Sequence, residues 1–447
     1  MYNSVIIYVF HFINMPGSYL QLVAQGKEDQ HIYGSINNSY FTKVFRKQTN
    51  FAIETIPVQF VTGTDFGEKI TTVLPRKGDL IRSCILRVEI PALNDPLYSG
   101  ISYVNSLGHA LIEDVEILIG DTIIDKFNGE WLEIWSSYYV PEDKRGVYAD
   151  MVGKFPMYSL PPYLKDQDTF FTKGSRGYLY IPLPFWFTRD IGMTLPMVAL
   201  QMHEVRINIK LRRFRDLIFN IDLEDPTPAC LADVPILHID DAELLCDYVF
   251  LAEDERVAVA NAQHEFIIDD VQMFNRVGVA CNETPVNIKL PFNRPVRAIY
   301  WTIQRVSAVV YGDYFNYNCK LISEPGSRLP ILETATIQLE GHDKYEKLMH
   351  ETYFRQVVPF MAYTATPVDN FIYSISFAIA PGKTRPSGSL NATKINDLTL
   401  KLNFYNVAIG STAPIIPSTK NYFVNVYAQS YNVLRIFKGI GGLLYFR

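Results

Sequence analysis

The chain has 447 residues, 48% hydrophobic and 20% charged, enough apolar surface for two or more cores and too much for a disordered protein. A net charge of −6, with no basic stripe beyond Lys210–Arg215, excludes a protein that coats nucleic acid through its charge. Five cysteines, odd in number, far apart and without a CxxC pair, read as free thiols of a reducing compartment and suggest neither a disulfide framework nor a zinc site.

Met1–Asn14 is apolar but lacks a basic flank and a small-residue cleavage site, and it is too short to span a bilayer. It reads as an upstream extension or, in a sharper reading, as a membrane-touching segment, with Met15 as an alternative start. Ser18–Glu28 reads as a short amphipathic helix with Leu20, Val23 and Ala24 on one side and Ser18 as N-cap. Strands begin at Asn50, where Phe51 and Ile53 alternate with Ala52 and Glu54, and Val58 and Phe60 follow Pro57. Arg82–Ile90 sets Cys84, Leu86, Val88 and Ile90 on one face, and Val115–Ile124 turns through Gly120-Asp121 as a hairpin. Gly129–Tyr139 is expected to be a short helix because Trp131, Ile134 and Trp135 recur at helical spacing. Val140–Gly177 is polar, proline-rich and poorly periodic, the pattern of a long projecting loop.

Tyr178–Phe187 and Val198–Leu211 are strand-like again. Asp222–Pro235, with three prolines and four acidic residues, is the best linker. Ile236–Leu245, Glu265–Phe274, Val286–Leu290 and Val296–Val306 follow as strands. In Phe371–Ala380, bulky Phe371, Tyr373, Ile375, Phe377 and Ile379 alternate with smaller residues, a strand with one face in a core. Pro381-Gly382 stops it, and after a turn-rich loop Leu398, Leu400 and Leu402 begin another strand.

The halves echo each other. Ile112–Trp135 (acidic start, strand, glycine turn, aromatic-bearing helix) returns as Leu332–Phe354, about 220 residues later. His203–Leu211 returns as Lys394–Leu402, and the offset there shrinks to about 190 because of the long Val140–Gly177 loop. The expected fold is therefore all-β, two consecutive eight-stranded sandwiches with short helices in loops. The division is an extension and helix over residues 1–40, a first sandwich over 41–222, a linker over 223–235 and a second sandwich over 236–447.

No reaction chemistry stands out. His342, Glu346 and His350 would share a helix face and could touch a metal, but a solvated face is the plainer reading. His203-Glu204 and His264-Glu265 read as polar strand residues, and Asp269-Asp270 as an ordinary strand end. No GxSxG, HExxH or phosphate-binding glycine loop occurs. The sequons at Asn37, Asn282 and Asn391 lack a secretory signal to make them acceptors.

The loop after Phe371 carries a resemblance. Tyr373, Ser374, Phe377, Pro381, Pro386-Ser387-Gly388-Ser389, Asn391 and Ile395-Asn396-Asp397 resemble a segment of the major capsid proteins of nucleocytoplasmic large DNA viruses. Leu20–Ala24 with Gly26 and Thr49–Ala52 resemble that family's N-terminal helix and first strand. Leu290, Pro291, Phe292, Asn293, Arg294, Pro295 and Val296, with Trp301 and Gln304, resemble its strand pair in the second half. Tyr431–Ile436, Gly439 and Gly441–Leu443 resemble its C-terminus. The chain departs from the pattern in its N-terminal extension and at Ala392-Thr393-Lys394, where a Ser-Arg pair is common.

The resemblance implies a double jelly roll that is no enzyme and needs no cofactor. It implies a homotrimer whose six sandwiches make a pseudo-hexagonal capsomer, packed beside neighbouring capsomers in an icosahedral shell. It also implies virion localisation after assembly in the host cytoplasm, and an N-terminal region facing minor capsid proteins or an internal membrane without direct contact to nucleic acid. Val140–Gly177 would lie on the outer surface or wrap a neighbour, and Pro386–Ile395 would order a subunit boundary or a sandwich pole. Two alternatives remain open: a related scaffold shed during virion assembly, and a jelly-roll carbohydrate-binding or carbohydrate-active protein, which would show exposed tryptophan rows or clustered carboxylates.

Overall fold

The computed structural model describes residues 49–93, 101–154, 177–220, 234–280, 285–310, 312–319, 329–345, 348–367, 370–405 and 421–445. The first unit contains strands β1 (Phe51–Gln59), β2 (Lys69–Val73), β3 (Leu80–Ile90), β4 (Ile112–Ile119), β5 (Thr122–Asn128), β6 (Gly177–Pro182), β7 (Val205–Leu211) and β8 (Asp241–Leu251). They form two antiparallel sheets, ordered β1-β8-β3-β6 and β2-β7-β4-β5. The second unit contains β9 (His264–Ala280), β10 (Val286–Lys289), β11 (Pro295–Arg305), β12 (Leu332–Leu339), β13 (His342–Asp343), β14 (Ile372–Ser376), β15 (Leu398–Phe404) and β16 (Asn421–Phe437). Its sheets run β9-β16-β11-β14 and β10-β15-β12-β13. Raising every strand number by eight converts one order into the other. Both units are jelly rolls, in which alternate strands are dealt to two facing sheets.

The internal echo is therefore topological. The hairpin β4–β5 and its counterpart β12–β13 hold the same place, as do β7 and β15. Alternation along β4 and β15 buries Val115, Ile117 and Ile119, and Leu398, Leu400 and Leu402, against the facing sheet. Helices α1 (Leu107–Leu111), α2 (Gly129–Tyr139), α3 (Glu142–Val152) and α4 (Glu253–Asn261) lie in the connections between strands.

Several expectations change. The strand at Asp241–Leu251 belongs to the first unit, because β8 pairs with β1 through Phe51↔Leu251 and with β3 through Asp241↔Glu89. The boundary expected at residue 235 thus moves past residue 251, and the crossing between units runs through α4. A proline-rich break marked a long connection inside the first sandwich, whose closing strand comes after it. In β1 the alternation holds, and it is the smaller side that lines the core: Phe51 and Ile53 are 43% and 39% exposed, while Ala52 and Val58 face inward. Part of the expected Val140–Gly177 loop is helix α3, which opens with Glu142 and Asp143 and stops at left-handed Gly153 (φ 67°). Only Tyr148 and Val152 of that helix are buried, too few to give a periodic signal. In β14 four successive residues, Ile372–Ile375, are buried, and Ile379 lies outside the strand, 83% exposed. The expected helix at Ser18–Glu28 lies outside the described residues.

Candidate functional site

Both faces of β14, β11 and β16 are buried because the outer side of their sheet receives the first unit. The seam between the sandwiches is the most elaborate polar arrangement among the described residues. Helix α2 is its centre. Asn128 caps it, its Oδ1 accepting from Trp131 N at 2.9 Å. Trp131 then packs against Tyr300 and Tyr427 of the second unit, with ring centroids 5.5 and 5.8 Å away. Tyr138 meets Tyr300 and Tyr363 edge-on at 5.1 and 4.9 Å. Burial raises the Glu130 carboxyl's pKa, while donors from the second sandwich hold it: Thr302 Oγ1 at 2.5 Å, Tyr427 OH at 2.8 Å and Asn425 Nδ2 at 2.9 Å.

A buried ionic cluster lies further along the seam. Asp269 accepts from Arg189 Nη1 of the first unit at 2.9 Å and from Arg297 Nη2 at 3.0 Å. Asp270 accepts from Ser430 Oγ at 2.5 Å and is ion-paired to Arg294. The Asp269-Asp270 pair, expected at a strand end, therefore sits within β9, where three arginines make its burial tolerable. Asp125 of β5 faces the same cluster. Its Oδ1 takes backbone N–H groups of Lys126 at 2.9 Å and Val271 at 3.4 Å, and its Oδ2 has no hydrogen-bond partner. Burial, reinforced by the nearby Asp270 charge, pushes its pKa up to about 7 from 3.8.

The sign of that shift makes a prediction. The folded state holds a proton on Asp125 that the unfolded state gives up above pH 3.8, so stability falls as pH rises from about 4 to about 7. Asp125→Asn, which cannot ionise, is expected to exceed the parent by ~2–4 kcal/mol at pH 8, with the gap closing toward pH 4. Urea titrations at the two pH values check this; a gap that does not depend on pH contradicts it.

The two signature loops meet beside this cluster. Asn391 and Leu390 pair as a two-residue strand with Pro295 and Val296. Arg294 takes a left-handed φ of 64°, its N–H donating to Thr393 Oγ1 at 2.8 Å and its carbonyl accepting from Ala392 N at 2.9 Å. Asn293 and Gln272 exchange hydrogen bonds, Gln272 Nε2 donating to the Asn293 carbonyl at 2.6 Å and Asn293 N to Gln272 Oε1 at 3.0 Å. Phe377 N donates to the Arg297 carbonyl at 2.8 Å. Ser387 closes the second loop, its Oγ accepting from Ala380 N at 3.0 Å. Gly388, at φ 138°, lies where a Cβ would stand 2.9 Å from the Phe377 carbonyl oxygen. Buried Pro381 offers its carbonyl to Tyr139 OH at 3.4 Å, and Thr384 reaches Asp190 of the first unit at 2.8 Å.

Trp301 and Ser374 are wholly buried, Trp301 stacking on Tyr373 at 5.7 Å and meeting Phe354 at 5.3 Å. Pro291 and Pro386 are exposed. Asp397 stands apart at the β12–β13 turn, where its carbonyl accepts from Glu340 N at 2.8 Å.

The remaining candidates resolve differently. His342 and His350 lie on short strands, not on one helix, and His350 Nε2 bonds Tyr405 OH at 3.0 Å. No group of three or more metal-ligating side chains occurs among the described residues. His203 bonds the Gly441 carbonyl at 3.1 Å, tying the first unit to the C-terminal hairpin. Trp131, Trp186 and Trp301 are buried and Trp135 is partly buried against the core, so they form no exposed sugar-stacking row. One buried group that sequence reasoning missed joins the helices of the first unit. His109 Nδ1 donates to Glu133 at 2.8 Å, and Nε2 accepts from Tyr148 OH at 2.9 Å. Burial would raise the Glu133 pKa, yet Lys154 and His109 together hold it at about 2. Both imidazole nitrogens are thereby spent on structure.

Comparison with known proteins agrees with this architecture. Residues 39–252 match the family model for the major capsid protein N-terminus, and residues 255–442 match that for the large eukaryotic DNA virus major capsid protein. The division falls where β8 ends and α4 begins. The major capsid protein of Pyramimonas orientalis virus is 31% identical, over 96% of this chain and all of that one. That of Phaeocystis pouchetii virus is 28% identical at the same coverage. A solved chain of the PBCV-1 virus capsid superposes with a TM-score of 0.75 at 27% identity, covering 92% of this chain and 100% of that one. Paired eight-stranded jelly rolls, a seam built of structural polar groups and these matches lead to one conclusion: the chain belongs to the large eukaryotic DNA virus major capsid proteins, structural components of the virion capsid and not enzymes.

Proposed function

We propose that three copies of this chain form a capsomer in which six sandwiches give pseudo-hexagonal symmetry, and that such capsomers tile an icosahedral shell. The observation that carries this reading is the pair of identically wound sandwiches locked side by side by a buried seam. A rigid doublet repeated by a threefold axis presents six similar flanks, which is what hexagonal tiling requires. Register supports a division of labour between the poles. The long connections after β3, β5 and β7 leave from one end of the first sandwich, and the Gly120-Asp121 turn and the start of β1 lie at the other. β1 starts at that second pole, and the N-terminal region that precedes it is proposed to face minor capsid proteins or an internal membrane, with assembly in the host cytoplasm. Phe360 and Met361, 80% and 74% exposed, supply apolar anchors for subunit contacts. The loop Pro386–Ile395, pinned by Gly388 and Asn391, is proposed to order the sandwich pole.

The test is incorporation. Quantitative mass spectrometry of purified mature particles is expected to find this chain among the most abundant shell components. Abundance in immature assemblies with loss from mature particles would instead indicate a shed scaffold.

A further inference from the structure

Two thiols of the first sandwich face each other across neighbouring strands. In the β3–β8 ladder Cys84 stands directly opposite Cys246. The Cys84 carbonyl accepts from Leu183 N at 3.0 Å, on the side of β3 away from β8. A residue of an antiparallel strand sends its N–H and C=O the same way, so Cys84 and Cys246 form a non-hydrogen-bonded pair, the site where facing side chains come closest. Their Sγ atoms are 3.6 Å apart, and neither residue is more than 1% exposed. Such pairs hold their Cα atoms about 4.5 Å apart, within the span that a disulfide bridges. The strands can therefore be joined by side-chain rotation without a change of register.

We propose that Cys84 and Cys246 are a latent cross-strand disulfide site, tying the closing strand β8 to β3 when the chain meets a low-molecular-weight disulfide such as oxidised glutathione. One cysteine thiolate attacks a glutathione sulfur, breaking that S–S bond and releasing one glutathione thiolate. The second cysteine thiolate attacks the resulting mixed disulfide, forming the Cys84–Cys246 bond and releasing the other. The protein loses two protons and two electrons, and one oxidised glutathione becomes two reduced molecules. Contact with Cys246, together with burial, raises the Cys84 thiol well above its usual range. The packed core thus keeps the pair protonated and shut off from oxidant, so the exchange runs during folding or after opening of the sheet. β8 leads directly into α4 and the second unit, so the bond would reinforce the first sandwich at the strand that leads into its neighbour.

The experiment uses the full chain, refolded or held in mild denaturant with oxidised glutathione, then alkylated and mapped by mass spectrometry without reduction. The expected product is a Cys84–Cys246 linked peptide lighter by two hydrogen atoms, with Cys319 of the second unit still alkylated. Linkage is expected to be much slower in native buffer than in mild denaturant, and the linked protein to unfold at a higher temperature than its reduced form. Cys84→Ala should abolish the linked peptide. The proposal is overturned if both thiols remain alkylatable after equilibration, if they end only as glutathione adducts, if either pairs with another cysteine, or if the linked protein is the less stable form.

Discussion

Arg294→Met is expected to lower the unfolding free energy by about 3–5 kcal/mol. The guanidinium is nearly excluded from water and ion-paired to Asp270, itself buried beside Asp125. Removing it leaves two carboxyl groups close together with one of their compensating cations gone. Transfer of the methylene stem is not the main loss, because Met fills a similar volume. Converting the partner as well, in Arg294→Met with Asp270→Asn, should therefore recover most of the deficit, since a neutral pair of similar shape carries no stranded charge. Chemical denaturation of the three variants measures the coupling. A loss in the double variant equal to the sum of the two single losses would show that the pair carries no coupling. The exposed ion pair Lys210–Glu113, 48% and 44% accessible, provides the contrast: breaking it should cost less than about 1 kcal/mol.

Gly129→Ala is expected to prevent the seam from forming. A Cβ placed there would lie 2.0 Å from the His109 carbonyl oxygen and 2.6 Å from that of Ile112. Both are backbone atoms, so no rotamer change relieves the overlap, and α2 must move away from α1. That movement drags Glu130 and Trp131 out of their contacts with Thr302, Tyr300 and Tyr427. The expected loss is above about 4 kcal/mol, at the extreme of single substitutions. Gly146→Ala is the control. It lies inside α3 with nothing within 4 Å of the added carbon, and should be neutral or stabilising by ~0.5–1 kcal/mol. Soluble yield and thermal midpoints of the two variants make the comparison; a well-folded Gly129→Ala protein would contradict the geometry.

Most of the fold could be read from period-2 alternation and the internal echo, since strands such as β4, β7 and β15 bury one face against a partner sheet. The failures have a shared physical cause. Where a second sandwich covers the outer face, alternation disappears, as in β14, and the inward side of an edge strand can carry a small residue, as Ala52 does in β1. The closing strand of the first sandwich follows a proline-rich break, and hydrogen bonding across about 190 residues to Phe51–Gln59 leaves no local trace. The seam was the least legible part. Its signal was charge inside apolar runs, Asp125 in Ile123–Phe127 and Arg297 between Val296 and Ala298, but only three-dimensional pairing shows that Arg189, Asp269 and Asp270 complete the cluster. The signature residues were legible as a pattern, and their meeting across the β11 start, with Asn391 opposite Pro295, was not.

The central claim is that the doublet of sandwiches is the repeating half-unit of a threefold capsomer. Multi-angle light scattering of the purified full-length chain tests it most directly. Three chains per particle, persisting across micromolar concentrations and moderate salt, is the predicted result; a stable monomer under all of those conditions would contradict it.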